Sequence, residues 1–177
     1  MPDSHFTNCT NKQTDRVSII EVGPRDGLQN EKQIVPLDAK VELIQNLADA
    51  GIQHIEAGSF VSPKWVPQMA DSLDVFQAIK RKDSVIYSAL TPNIKGFELA
   101  VDAKADEVAI FTAASESFTQ KNINCSIEES IQRFMPLIEA AKTKNMRVRA
   151  YVSCILGCPY EGDVSPEVVR DVALKLL

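Results

Sequence analysis

The chain predicts an α/β fold with a parallel sheet, and three observations carry that expectation. Strand-like and helical segments alternate five times, and the strands are short, rich in Val and Ile and apolar on both faces, as a sheet covered by helices requires. Long polar loops follow the first, second, fourth and fifth strands while the helix-to-strand turns are tight, as in a (β/α)8 barrel that carries its chemistry at one end. No Gly-x-Gly-x-x-Gly follows the first strand, so a dinucleotide-binding sheet loses its usual support. An open doubly wound sheet and a barrel cut short both fit the order; the loops favour the barrel.

The elements follow in order. Val17 to Val22 is an apolar run read as strand one, broken by Gly23-Pro24. Val41, Ile44, Leu47 and Ala48 recur at helical spacing, predicting a helix from Leu37 to Ala50 with Gly51 at its end. Ile52 to Ala57 reads as strand two, closed by Gly58, and the loop Ser59 to Pro67 leads into a helix with Met69, Leu73 and Phe76 on one face. Strand three is Val85 to Leu90, ended by Thr91-Pro92-Asn93, and a short helix covers Phe97 to Ala103. Val108 to Phe111 is strand four, and Thr112 to Cys125 reads as a long polar connection. Ser126 with Glu129 forms a capping box ahead of the stripe Ile127, Ile131, Phe134, Ile138 and Ala141. Arg147 to Ser153 is strand five, and Ser165-Pro166 opens a last helix with Val169, Val172 and Leu176 inward. The sequence stops inside that helix without a cap, which predicts a chain holding about five of the ~8 βα units of a barrel.

Composition narrows the function. With 45% hydrophobic and 24% charged residues over 177, the chain reads as a single globular domain, residues 17–177, after a flexible tail, residues 1–16. A net charge of −5 argues against nucleic-acid binding, and no apolar run approaches the ~20 residues of a membrane helix. Cys9, Cys125, Cys154 and Cys158 are too few and too unevenly spaced for a disulfide framework. The first 16 residues have neither the apolar core of a signal peptide nor the Arg-rich look of a transit peptide, so a cytoplasmic location is expected.

The densest chemistry lies in Glu21 to Lys32, where Arg25, Asp26, Gln29, Asn30, Glu31 and Lys32 crowd one strand exit, with Gly23 and Gly27 able to adopt φ > 0. Asp26 beside Arg25 can be a metal ligand next to a cation that stabilises an oxyanion, or a solvated pair in a turn. Glu56, in an otherwise apolar strand, is expected to pair with Arg25 at the sheet's mouth. His54 stands alone and reads as structural. Cys154 and Cys158 have a spacing loosely compatible with zinc but no second pair or histidine nearby. Motifs of serine hydrolases, nucleotide triphosphatases and zinc proteases are absent.

Five stretches together resemble hydroxymethylglutaryl-CoA lyase. They are Val22-Gly-Pro-Arg-Asp-Gly-Leu-Gln-Asn-Glu-Lys32, Ser59-Phe-Val-Ser-Pro-Lys-Trp-Val-Pro-Gln-Met69, Leu90-Thr-Pro-Asn93, Asn122-Ile-Asn-Cys-Ser-Ile-Glu-Glu-Ser130, and Tyr151-Val-Ser-Cys154 with Gly157-Cys-Pro-Tyr-Glu-Gly162. The resemblance runs from about Val17 to the last residue. Arg-Asp-Gly is shared with the wider superfamily of metal-dependent barrel lyases and synthases; the second and fourth stretches are much narrower.

The resemblance implies a TIM barrel, here its first five βα units, and a lyase that splits 3-hydroxy-3-methylglutaryl-CoA into acetyl-CoA and acetoacetate with a divalent metal, Mg2+ or Mn2+. By the same resemblance Asp26 is the aspartate metal ligand, and Arg25 stabilises the enolate of the departing acetyl-CoA. Glu56 and Gln29 match polar residues of the site, and Lys32 is a candidate substrate contact. The expected partner is an acyl-CoA, with neither nucleic acid nor membrane, and the intact enzyme is expected to be a homodimer. The family's two histidine ligands, its asparagine ligand and its reactive-cysteine loop belong to later strands, so the chain alone is expected to be inactive. A Claisen-type synthase of the same superfamily, or a non-catalytic half-barrel that binds an acyl-CoA or a partner chain, are the rival readings.

Overall fold

A computed structural model describes residues 17–177. The predicted tail, residues 1–16, lies outside them. Four parallel strands, β1 (His54–Ser59), β2 (Ile86–Leu90), β3 (Glu107–Ala113) and β4 (Arg147–Ser153), form one sheet whose spatial order is the chain order. Helices α1 (Leu37–Asp49), α2 (Ser72–Ala78), α3 (Ile94–Asp102), α4 (Glu116–Ile123), α5 (Ile127–Thr143) and α6 (Pro166–Leu176) fill the connections. Consecutive parallel neighbours joined through helices are the repeating unit of a barrel wall.

One face of the sheet makes the apolar core. Ile55, Tyr87, Ala89, Val108 and Ile110 pack with Ile44, Val75, Phe76, Phe97, Phe134 and Leu137 from the helices, all buried. Each buried Val, Leu, Ile or Phe side chain among these stabilises the fold by about 1.5–3 kcal/mol relative to exposure. The helix boundaries have local causes. Ser126 Oγ accepts from Glu129 N at 3.1 Å while Glu129 Oε2 accepts from Ser126 N at 2.8 Å, the capping box in both directions. Asn93 and Ser165 likewise accept from backbone N–H groups that open α3 and α6.

The structure corrects several expectations. Strand one is reduced to a single parallel bridge, Glu21 with Ile55, held by Glu21 N to His54 O at 2.9 Å and Glu56 N to Glu21 O at 2.8 Å. Val17 and Ile19 before it are exposed, and Gly23-Pro24 ends the pairing at once. The segment after Pro67 is a 3-10 turn, Pro67–Met69, separated from α2, and the connection Thr112 to Cys125 contains α4, capped by Ser115. Apolar spacing could not reveal α4, because Thr119 alone of its residues is buried. The strands are not apolar on both faces either. The face turned from the core carries His54, Glu56, Ser88, Glu107, Arg149 and Tyr151, where ion pairs and hydrogen bonds replace apolar packing.

Candidate active site

The loop after Glu21 is a π-helical turn, Gly23–Gly27, in which Asp26 N donates to Val22 O at 2.6 Å. The Gly23 N–H donates to Glu21 Oε1 at 2.7 Å, and a Cβ added at Gly23 would meet only the end of that flexible carboxylate, which can swing aside. Contrary to expectation, neither Gly23 nor Gly27 has positive φ; among the glycines only Gly51 and Gly162 do. The turn itself, not a left-handed residue, delivers Arg25 and Asp26.

Arg25 reaches the middle of the barrel wall. Its Nε donates to Glu56 Oε1 at 2.5 Å and its Nη1 to Asp26 Oδ1 at 2.7 Å. Glu56 is fully buried on β1, immediately before the register slip between Glu56 and Gly58. A slip of this kind at a strand's end re-aims the side chains around it. The second oxygen of Glu56, Oε2, accepts from Tyr151 Oη at 2.8 Å, across from β4. Burial, then the Glu56 charge and this hydrogen bond, push the Tyr151 phenol well above its ordinary range, so it donates and stays neutral. Tyr151 stands in one of the five resembling stretches but is not one of the site residues that the resemblance implies. The alternation Arg147, Arg149, Tyr151 against Val148, Ala150, Val152 was the signal that could have found it.

A second polar group lies beside this one. Glu107 Oε1 accepts from Arg149 Nε at 3.0 Å, and His54 Nε2 stands 3.0 Å from the same oxygen without the geometry of a hydrogen bond. Arg149 Nη2 is 3.4 Å from His54 Nδ1. Burial holds the His54 pKa below its ordinary value, against the pull of Glu107. His54 is therefore a neutral wall residue, as a solitary histidine was expected to be.

Of the residues picked from sequence, Arg25, Asp26 and Glu56 come together. Gln29 and Lys32 do not join them by hydrogen bonds. They line a cavity of about 310 Å³ with Ile34, Trp65 and Pro67. The segment beside it is clamped: Gln68 accepts from Val35 N at 2.9 Å and donates to Gln33 O at 2.9 Å, while buried Lys40 donates to Gln68 O at 2.5 Å and to Asp71 at 2.6 Å. Two carboxylates around one guanidinium leave Arg25, Asp26 and Glu56 with an excess negative charge, and Asp26 is the exposed member. Among the described residues, however, no group of three or more His, Cys, Asp or Glu is arranged to hold a metal ion. Among the described residues the expected cation has one candidate ligand, Asp26.

Comparison with known proteins covers nearly the whole described chain. A family model described as HMGL-like matches residues 16–176. The mitochondrial hydroxymethylglutaryl-CoA lyase of Rattus norvegicus is 63% identical over 161 residues, which are 91% of this chain and 50% of that protein. The 3-hydroxy-3-isohexenylglutaryl-CoA/hydroxy-methylglutaryl-CoA lyase of Pseudomonas aeruginosa is 56% identical over 91% of this chain and 54% of its own length. A crystal structure of hydroxymethylglutaryl-CoA lyase from Pseudomonas aeruginosa superimposes with a TM-score of 0.89, covering 91% of this chain and 54% of that one. A lyase from Acinetobacter baumannii, solved with coenzyme A and 3-methylmalate, is 38% identical with a TM-score of 0.85, covering 89% of this chain and 52% of that one. The chain thus spans about half the length of the relatives it matches, and its parallel sheet is the corresponding half of their barrels.

Proposed function

Because this chain belongs to the HMGL-like family, we propose that it supplies the Arg25 half of the site of a carbon–carbon lyase, one that cleaves 3-hydroxy-3-methylglutaryl-CoA to acetyl-CoA and acetoacetate. The observation that carries the reading is the chain of contacts Tyr151 to Glu56 to Arg25 to Asp26. Glu56 is held by two donors and in turn fixes the Arg25 guanidinium, whose Nε and Nη1 are engaged, leaving Nη2 for a ligand. A guanidinium fixed in advance, with little water around it, is suited to the negative charge that develops on a thioester oxygen as the C–C bond breaks. Asp26 offers one hard oxygen ligand to Mg2+ or Mn2+, and such a cation polarises a substrate oxygen when bound. Its other ligands come from outside the described residues. Gln29 and Lys32, at the cavity beside Trp65, are assigned to contact with the acyl-CoA.

The whole enzyme is proposed to be a homodimer. The cytoplasmic location and a place in leucine and ketone-body metabolism belong to the same proposal; the rat relative is described as mitochondrial, and fractionation of expressing cells separates the two locations. The chain spans about half of the relatives it matches, and the 177-residue chain alone is proposed to bind metal poorly and to be inactive. The test is acetoacetate release from 3-hydroxy-3-methylglutaryl-CoA with Mg2+ or Mn2+, run on the full-length protein and on residues 1–177. Release by the former alone is expected. Turnover by the isolated chain at full-length rates would overturn the half-site, and condensation of acetyl-CoA with a keto acid would make the protein a synthase.

A further inference from the structure

Cys154 and Cys158 take no part in the proposed chemistry, yet the loop that carries them is pinned at several points. Cys154 follows β4 with φ 62°, a left-handed backbone that a cysteine seldom adopts. Cys158 pairs with Gly162 through Cys158 N to Gly162 O at 2.7 Å and Gly162 N to Cys158 O at 2.9 Å. The tip is docked on α4: the Lys121 ammonium lies 3.6 Å from the Tyr160 ring centroid, and Glu161 Oε1 accepts from Ser117 N at 2.7 Å.

The two sulfurs differ in surroundings. Cys158 is buried, and its Sγ accepts from Ser115 Oγ at 3.0 Å and from Tyr160 N at 3.4 Å. Half-buried Cys154, at the start of the same loop, is the neighbouring thiol. Donors around one sulfur favour its anion, and the Cys158 pKa lies below the ordinary thiol value despite burial. Cys154 is pushed the other way, by burial and then by its neighbour. One sulfur is thus prepared as a nucleophile while the other keeps its proton.

We propose that Cys154 and Cys158 form a dithiol modification site whose substrate is a small peroxide. The Cys158 thiolate attacks the O–O bond of hydrogen peroxide, giving Cys158 sulfenic acid and a hydroxide that takes up from solvent the proton the thiol released on ionising and leaves as water. The Cys154 sulfur then attacks the Cys158 sulfur, the S–O bond breaks, and the departing hydroxide takes the Cys154 proton as a second water. Two thiols are oxidised to one disulfide and the peroxide is reduced to two waters. The shell of exposed residues around the pair, Ile155 to Gly157 and Pro159 to Gly162, admits a reagent the size of water more readily than a bulky disulfide.

The experiment treats the 177-residue chain with hydrogen peroxide, alkylates the free thiols and maps the peptides by mass. The expected product is an intramolecular Cys154–Cys158 crosslink, with Cys125, buried and pushed up by desolvation, still reduced. In the Cys154→Ser chain a 1,3-diketone probe should trap sulfenic acid on Cys158. Ser115→Ala should slow the oxidation about tenfold, the effect of losing one hydrogen bond to a charged sulfur. Because Ser115 also caps α4, circular dichroism of that variant is read alongside, and the Cys154→Ser trapping does not depend on it. Oxidation of Cys125 as fast as Cys158, crosslinking only between chains, or a Cys158 that goes to sulfinic acid equally fast with and without Cys154 would overturn the proposal.

Discussion

Tyr151 and Glu56 stand 95 residues apart in the chain and share a 2.8 Å hydrogen bond in the polar face of the sheet. The bond ties the last strand to the first and leaves the buried carboxylate with a donor on each oxygen. Tyr151→Phe removes one donor and keeps the ring. It should lower stability by about 1–3 kcal/mol, the range for a buried acceptor left unsatisfied, as read by urea unfolding. In the full-length protein it should also lower kcat, because Glu56 then holds Arg25 less firmly. Unchanged unfolding would show that water replaces the phenol.

Arg25→Lys keeps the charge and loses the fork that contacts Glu56 and Asp26 together. In the full-length protein we expect kcat to fall by roughly 10²-fold or more, the scale for removing one donor to a developing oxyanion, with a much smaller change in KM. A rise in KM at constant kcat would make Arg25 a binding residue only.

The buried Lys40–Asp71 pair is asymmetric, with side-chain exposures of 4% and 29%. Removing the exposed partner should therefore cost more than removing the buried one. Asp71→Ala strands an ammonium in the interior and should destabilise by about 3–5 kcal/mol, whereas Lys40→Met leaves a carboxylate that can still reach water and should cost less. Chemical denaturation of both variants checks the order; the reverse order would mean that Gln68 O alone satisfies the lysine.

His54 sets a pH dependence. Its folded pKa lies below the ordinary 6.5, so on acidification the unfolded state takes up the proton first and the folded state loses stability as pH falls below about 6.5. Glu128, Glu129 and Glu161 are shifted down from 4.5, so their contribution is lost only at lower pH. Stability between pH 5 and about 7 should therefore slope in the wild-type chain and flatten in His54→Gln. An equal slope in both would show that His54 is not its source.

The Ser126 cap offers a control far from the site. Ser126→Ala should cost about 1 kcal/mol without altering ligand binding, measured by thermal unfolding.

Much of this was legible in the residues, and the exceptions have physical causes. The α5 capping box and stripe, and the last three strands, follow local rules, and they stand where those rules put them. Arg25 with Glu56 was reachable too, since a carboxylate inside an apolar strand needs a cation. Strand one failed because an apolar run becomes a strand only where a partner backbone is available, and beyond Glu21 none is among the described residues. Helix α4 is hidden because it has no apolar stripe: Ser115 caps it locally, Thr119 is its buried residue, and Glu161 supports it from across the fold. The polar face was misjudged from β1 and β2, whose small residues look apolar in a line of sequence, although β4 declared it by alternation.

The strand order β1-β2-β3-β4 carries a consequence for how the chain assembles during synthesis. Each strand leaving the ribosome finds its neighbour already made, so the wall grows by short loop closures and the apolar face can condense unit by unit. The contact between Tyr151 and Glu56 must wait for β4. Until then Glu56 lacks its Tyr151 donor, and the nascent chain carries a formed scaffold with an incomplete polar cluster. A translation-arrest series should show protease resistance around β1 to β3 before Arg25 becomes ordered.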